Sequence, residues 1–380
     1  MKVLILTTNN SSPKGGSEKL WRELAKGLQS KGHEVIVSIY SHQIAYQGAK
    51  LSPEIQVHGR FPKRHGGRLP IRIWHHVFGR LLESRQIQQI IKRKQPDHIF
   101  ISFGGFAELD NPKLLRTFNA LNVEFSAVFH NNTEDYAFQA ESIALAQKFC
   151  LNAQSIYLVS HRIGEIFQRQ IALPGLQYEL IVNPMEEPAE SSVTIYSDLS
   201  APVHMAFIGT LDISVKGLAL LIQSIASDAW PNDDVILNIY GEGKDREVVA
   251  QLIKEFGLDH KVHLKGWVDD IEGIWSSHHI LVLPSFNEGM PMVVHEAMLR
   301  QRIVLATDVG GNSEIIEDGK TGFLAPSATL KHLNHALASC FKQRTQWPCI
   351  ASSARASILR TRREHATIQT IIDDLSHEQN

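Results

Sequence analysis

The sequence predicts an α/β protein made of two Rossmann-like, doubly wound halves. Short apolar runs alternate with amphipathic helical patterns along most of the chain. The alternation lapses once, over the Pro-, Ser- and Glu-rich stretch NPMEEPAESSVTIYSDLSAPV that starts at Asn183, and then restarts. A length of 380 residues suits two domains of ordinary size, each able to bury its own core. Strand-helix alternation of this kind calls for parallel strands covered on both faces.

The elements follow in order. Residues 3–6 are an apolar strand, and a Gly-containing turn leads to a helix over 17–30 that stacks Leu20, Leu24 and Leu28 on one face. Lys31-Gly32-His33 closes that helix, residues 34–39 form the next strand, and further strands fall at 98–102, 126–130 and 155–159. After the lapse the spacing predicts strands at 205–208, 235–240, 262–264, 280–283 and 303–306. Helices are predicted over 217–226, over 245–256 and from Pro291 onward. The expected domains are 1–185, 186–350 and a helical tail, 351–380, that returns to the first half. Two such halves face a central cleft, and ligands collect at the carboxyl ends of the strands.

Composition narrows the function. Hydrophobic content of 43% and charged content of 21% belong to a soluble globular chain, and a formal charge of −2 argues against a nucleic-acid binder. Cys150, Cys340 and Cys349 form no C-x-x-C pair and read as reduced thiols. The opening apolar run is too short for a signal-peptide core, and no segment approaches the roughly 18 apolar residues of a membrane span. The expected location is cytoplasmic. One region departs from the average: from Arg60 to Lys94 the basic residues face a single acid, Glu83. It is either a face for anionic lipid or an anionic acceptor, which would place the protein at the inner face of a membrane, or a solvated helix surface. The His75-His76 and His278-His279 pairs lack metal-ligand partners at sensible spacing, and no metal is expected.

Several Gly-rich turns compete for attention. Gly241-Glu242-Gly243 carries Arg246 where a dinucleotide fingerprint needs a third Gly, and Gly319-Lys320-Thr321 lacks the first Gly of a P-loop. Gly15-Gly16 is better placed, because it joins the first strand to the first helix, where main-chain N–H groups and the helix N-terminus favour an anion. In the second half Gly209-Thr210-Leu211 follows a strand, and Lys216 opens the next helix as a compact charge able to meet a phosphate.

The segment PSFNEGMPMVVHEAM, from Pro284, then places Glu288 just outside a helix that begins near Pro291, and Glu296 more than a turn inside it. The main chain at Gly289, Met290 and Met292 offers N–H groups to an anion, while carboxylates accept hydrogen bonds from vicinal hydroxyls. A ligand with a sugar on each side of a diphosphate fits this pattern: a nucleotide sugar.

With these residues assembled, the chain resembles the family 4 glycosyltransferases of the GT-B fold, whose C-terminal half is known as glycosyl transferases group 1. The resemblance rests on GGSEKLWRELAKGLQSKGHEV, FHNNTEDY, GTLDISVKG, YGEGKD, VHLKGWVDDI, LVLPSFNEGMPMVVHEAM and TDVGGNSEIIEDGKTGFLAP. It implies that Glu296 binds the donor ribose and Glu288 the transferred sugar. Gly289, Met290 and Pro291 would hold the sugar and diphosphate through the main chain. Lys216 would neutralise the leaving diphosphate, with Gly15 and Gly16 approaching it and Gly209 and Thr210 lining it. Trp267 and Val268 would lie near the nucleobase, and His130 would reach the reacting carbon or the sugar hydroxyls.

One departure stands out. The family usually carries an Arg where this chain has Thr210, and a hydroxyl cannot replace that charge. Loss of one such donor commonly costs about 3 kcal/mol of barrier. The resemblance therefore implies a retaining, metal-independent transferase that takes a UDP- or GDP-sugar as substrate, needs no cofactor, and acts on a glycan or lipid-linked saccharide in polysaccharide or glycoconjugate synthesis. The competing expectation, resting on Thr210, is a catalytically silent binder of nucleotide sugars. A sugar-nucleotide epimerase on the same architecture is a third.

Overall fold

A computed structural model describes residues 1–9, 15–60, 80–186, 188, 202–227 and 235–377. The chain divides into two compact units: Met1–Pro184 with His365–Asn380, and Met185–Glu364.

The first unit holds a parallel sheet of seven strands in the order β3-β2-β1-β4-β5-β6-β7. These are β1 (Lys2–Thr7), β2 (Glu34–Tyr40), β3 (Gln56–Arg60), β4 (His98–Phe103), β5 (Glu124–Phe129), β6 (Ser155–Leu158) and β7 (Glu179–Leu180). The second unit holds a six-stranded parallel sheet in the order β10-β9-β8-β11-β12-β13. Its strands are β8 (Val203–Ile208), β9 (Val235–Tyr240), β10 (Val262–Gly266), β11 (Ile280–Leu283), β12 (Ile303–Thr307) and β13 (Phe323–Ala325). The central strands are apolar without alternation because both faces are covered: Val3, Leu4, Ile5 and Leu6 in β1, and Ile280, Leu281, Val282 and Leu283 in β11, are fully buried.

Strand order reverses between β1 and β4 in one sheet and between β8 and β11 in the other. Such switch points are where open α/β sheets bind ligands, outside the strands' carboxyl ends. In the first unit an aromatic ladder fills the core beneath those ends: Phe103 stacks on Phe129 at 4.6 Å between ring centroids, Phe129 on Phe106 at 4.1 Å and Phe106 on Phe167 at 3.8 Å.

Four expectations need adjustment. The helix expected over 217–226 is Leu218–Ile225, but a separate short helix, Ile213–Lys216, precedes it across Gly217 in the left-handed region, so Lys216 closes that first helix rather than opening the second. Pro291 lies just outside its helix, which runs Met292–Leu299, and serves as the N-cap. The strand expected over 126–130 ends at Phe129, so His130 is the first residue of the following loop.

The fourth concerns the tail expected from residue 351, which splits at Glu364. Trp347, Ile350, Ala351, Ala354 and Ile358 of the helix Trp347–Glu364 belong to the core of the second unit. Only the helix Ile368–His377 joins the first unit, where Ile372 packs into the space left by Gly27 and Ala366 bridges Ile181 beside β7. Strands β3, β7 and β13 escaped the sequence reading because they are short, and β3 (QVHGR) lacks an apolar run.

Candidate functional site

In the second unit the site is built at the β8/β11 switch point. The loop after β8 is locked by the loop after β9: Gly209 N donates to Tyr240 O at 3.0 Å, Leu211 N to Glu242 O at 3.1 Å, and Asp245 N to Leu211 O at 3.1 Å. Gly241 has φ +133°, and a Cβ there would lie 1.9 Å from Gly209 O. The Gly-Glu-Gly turn is thus a clamp on the loop after β8. Asp212 caps the helix Ile213–Lys216 by accepting from Ser214 N at 3.1 Å, and Lys244 pairs with it at 2.8 Å.

That short helix delivers Lys216 to the loop after β11. Gly217, at φ +63°, sits so tightly that a Cβ would stand 2.0 Å from Pro284 O, and Phe286 N donates to Val215 O at 2.8 Å. Lys216 Nζ meets Glu288 Oε1 at 2.6 Å, in a pair whose side chains are only 19% and 8% exposed. The same oxygen accepts from Ser285 Oγ at 2.7 Å. Lys216 and Glu288, singled out separately in the sequence, thus meet directly in space.

Beyond Glu288 the main chain is open. Among the described residues, the N–H groups of Gly289, Met290, Met292 and Val293 have no acceptor, which leaves the start of the Met292–Leu299 helix free for an anion. Gly310 closes the floor: at φ +53° its Cβ would lie 2.1 Å from Glu288 O, and Gly311 N donates to Gly289 O at 2.7 Å. Glu296 is half-buried on the helix, and its carbonyl accepts from Arg300, whose guanidinium is in turn held by Glu272.

Other predicted positions vary. Thr210 is exposed and its hydroxyl has no partner among the described residues. Trp267 and Val268 follow β10 and are 50% and 37% exposed, with Trp267 Nε1 donating to Asp269 Oδ1 at 2.8 Å.

In the first unit, Gly15 is the N-cap and Gly16 the first residue of the helix Gly16–Ser30. The N–H groups of Gly16, Ser17 and Glu18 have no acceptor among the described residues. His130 keeps some solvent contact, yet both its ring nitrogens are covered and have no partner among the described residues. Burial pushes its pKa down to about 3, so at neutral pH it is an uncharged imidazole.

The sequence reading missed two residues. Ser285 lies inside the quoted segment, three positions before Glu288, and a hydroxyl at that spacing was the available signal. Glu18 lies inside the quoted GGSE, and it is fully buried. Its Oε2 accepts from Trp21 Nε1 at 2.7 Å and Gln47 Nε2 at 3.0 Å, its Oε1 has no partner among the described residues, and burial raises its pKa to about 7.

The basic stretch is not one surface. Arg60 is fully buried, donating to Ser38 O at 3.1 Å, and Glu83 is buried against Tyr40 Oη at 2.6 Å. Arg85, Lys92 and Arg93 are exposed, whereas residues 61–79, including the His75-His76 pair, lie outside the described residues. His278 is a core histidine, bonded to Ile274 O at 2.7 Å and Asn238 Nδ2 at 2.9 Å.

Comparison with known proteins gives this geometry a family. The pattern of Glycosyltransferase Family 4 matches residues 14–186, and that of Glycosyl transferases group 1 matches residues 202–343. The chain belongs to the family 4 glycosyltransferases.

Curated relatives within reach of this family member include the poly(ribitol-phosphate) alpha-N-acetylglucosaminyltransferase of Staphylococcus aureus, 28% identical over 65% of this chain and 51% of the relative. The D-inositol 3-phosphate glycosyltransferase of Paenarthrobacter aurescens is 26% identical over 45% of this chain and 43% of its own length. In these two matches the chain spans about half the length of the relatives. A third, the GalNAc-alpha-(1->4)-GalNAc-alpha-(1->3)-diNAcBac-PP-undecaprenol alpha-1,4-N-acetyl-D-galactosaminyltransferase of Campylobacter jejuni, is 23% identical over 85% of this chain and 84% of its own length. Among solved structures, Anabaena HepE in complex with UDP superposes with a TM-score of 0.73 at 18% identity, covering 100% of this chain and 99% of HepE. Sucrose-phosphate synthase from Thermosynechococcus elongatus gives 0.73 at 16%, covering 100% and 98%. These likenesses establish the family's GT-B fold, two Rossmann-like units each with a parallel sheet.

Proposed function

We propose that this chain transfers a sugar, with retention, from a nucleotide-sugar donor to a hydroxyl of a glycan or lipid-linked saccharide. The observation that carries the reading is the Lys216–Glu288 pair at the β8/β11 switch point, beside a helix start whose N–H groups are free. An ammonium has three N–H donors, and one is spent on Glu288, so two remain for a diphosphate. Together with the N–H groups of Gly289, Met290 and Met292, Lys216 would gather the negative charge that builds on the departing nucleoside diphosphate. That charge stabilisation needs no resident metal and no cofactor, and the reaction should proceed unchanged in a chelator.

Glu288 and Glu296 would accept from sugar and ribose hydroxyls, with Trp267 and Val268 offering an apolar face to the base. Gly209, Thr210 and Pro291 would shape the walls. In the first unit, Gly15 and Gly16 would offer main-chain N–H groups to an anion. His130, neutral because it is buried, would hydrogen-bond a sugar hydroxyl rather than act as a cation. With Glu288 tied to Lys216 and Ser285, it is poorly suited to serve as a covalent nucleophile, and front-face attack by the acceptor is the assigned route.

A UDP- or GDP-sugar is the proposed donor, and the names of relatives favour saccharide acceptors. The Campylobacter relative is named for a PP-undecaprenol glycan and the Staphylococcus relative for poly(ribitol-phosphate). Work in polysaccharide or glycoconjugate synthesis at the inner face of a membrane, through the exposed Arg85, Lys92 and Arg93, follows from the same reading. No described helix is long and apolar enough to cross a membrane.

The test is release of nucleoside diphosphate from UDP- and GDP-sugars in the presence of lipid-linked glycans. Release no faster than from Glu288→Ala would overturn the assignment. Thr210, with no charged group of its own to offer, favours one other reading, a silent binder. Calorimetric binding of the donor with no turnover across many acceptors would establish it.

A further inference from the structure

Glu288 is held asymmetrically. Its Oε1 accepts from Lys216 Nζ at 2.6 Å and from Ser285 Oγ at 2.7 Å, whereas Oε2 has no partner among the described residues and is not sealed from solvent. The hydroxyl that makes the second bond is itself braced. Ser285 is fully buried, and its carbonyl accepts from Thr307 Oγ1 at 2.6 Å. The carbonyl of Thr307 accepts from the buried Asn312 Nδ2 at 2.9 Å. Thus Asn312, Thr307 and Ser285 link the loop after β12 to the carboxylate after β11, and the chain of bonds ends on one particular oxygen.

A salt bridge alone would not do this. An ammonium is a point charge that follows either carboxylate oxygen, and a lysine stem has several rotamers. A buried hydroxyl on a fixed backbone adds direction, and a hydrogen bond to a charged acceptor is worth roughly 1.5–3 kcal/mol. Building on the donor site proposed above, we propose that Ser285 is a positioning residue. It fixes the rotamer of Glu288, so that Oε1 stays with Lys216 and Oε2 alone meets a hydroxyl of the transferred sugar. Ser285 touches no donor atom itself and acts through Glu288.

The role predicts a split between two ligands. A nucleoside diphosphate lacks the transferred sugar and does not use Oε2, whereas the nucleotide sugar does. By calorimetry on the full chain, Ser285→Ala should weaken the donor UDP- or GDP-sugar about 10-fold while leaving the matching diphosphate within about twofold, and Ser285→Thr should restore the donor, for a hydrogen bond of this class. Thr307→Val, which removes only the brace, should shift the same ratio in the same direction by a smaller factor. Equal loss for both ligands, or no loss for either, would overturn the proposal.

A crystal structure of Ser285→Ala separates this from the donor assignment. If wild type binds no nucleotide sugar, that assignment falls. A Glu288 carboxylate that has left its place in the variant then still upholds the positioning role, and one that stays overturns it.

Discussion

The two units present the same grammar at their strand tips but finish it differently. In the second unit the loops after β8, β9, β11 and β12 are interlocked, and Lys216, Ser285, Thr307 and Glu288 form one continuous chain of bonds. In the first unit the tips of β1, β2 and β5 carry buried polar atoms with no partner among the described residues: Glu18 Oε1, Gln43 Oε1, His130 Nδ1 and Nε2, and Asn131 Oδ1. The second unit is pre-organised, which suits a ligand whose charged and hydroxylated groups recur. The first leaves several polar groups at its tips unsatisfied, where the bond chain of the second leaves Asn312 Oδ1, and it shifts the charge states of Glu18 and His130. Buried polar groups are almost always bonded, and an exception calls for a reason.

The largest effect should come from the centre of the interlocked unit. Glu288→Gln keeps size and one acceptor oxygen but removes the charge that orders Lys216, and turnover should fall about 10²–10³-fold, the range for loss of one pre-organised electrostatic partner. Steady-state assay of nucleoside diphosphate release measures it. A fall of less than threefold would mean that the pair is a stability feature only.

Next comes the backbone lock. Gly310→Ala would drive a Cβ to 2.1 Å from Glu288 O, in a left-handed conformation, where neither neighbour is a side chain that can turn away. Urea unfolding should show at least about 2 kcal/mol of lost stability, from left-handed strain plus the clash. Gly32→Ala, also left-handed at φ +86° but with nothing within 4 Å, should lose only about 1–2 kcal/mol. If the two variants lose the same, the packing of Gly310 on the Glu288 loop contributes nothing.

How much of this could be read from the residues depends on where the cause lies. The central strands were legible because burial on both faces writes an apolar run, as in Val3 to Leu6. Lys216 and Glu288 were legible as types at loop positions, yet not as a contact, because their meeting depends on Gly217 packing on Pro284 across the sheet. Ser285 was legible only as a hydroxyl three positions before Glu288: a serine beside a turn has many ordinary uses, and only the bond to Oε1 distinguishes this one. Arg60 misled, since a charge near other charges looks solvated until a strand end is found to bury it. The split of the tail at Glu364 turns on side chains such as Ala354 and Ile358, which carry no sign of which core they enter.

Both units carry buried groups that respond to pH, His278 in the second among them, and the first sets two against each other at its strand tips. Glu18 titrates at about 7 instead of 4.5, so the folded state holds a proton that the unfolded chain has released. Stability from this group is therefore greatest below pH 4.5, declines as pH rises to about 7, and is flat above. Glu18→Gln should gain on wild type over that window by on the order of 3 kcal/mol. His130 bends the curve the other way. Its pKa of about 3 lies below the ordinary 6.5, so its contribution is present above 6.5 and lost as pH falls toward 3, and His130→Asn should gain on wild type in that range. Melting curves from pH 4 to 8 that run parallel for all three proteins would show that these groups are not held as the structure has them.

The smallest effect on stability is the most informative about ligand approach. Gly15 has φ −79° and ψ 171°, an extended conformation open to any residue, and a Cβ there would meet nothing nearer than Ser17 Oγ at 3.7 Å. Glycine is a better N-cap than alanine by a fraction of a kcal/mol, while alanine restricts the unfolded chain by about 0.4–1 kcal/mol, so the terms nearly cancel. The melting temperature of Gly15→Ala should stay within about 2 °C of wild type, the shift expected for well under 1 kcal/mol in a chain of this size. Any loss of donor affinity in that variant then cannot be blamed on folding, and it would report that a ligand comes to within a methyl group of this turn. Unchanged affinity would remove Gly15 from the donor-binding residues.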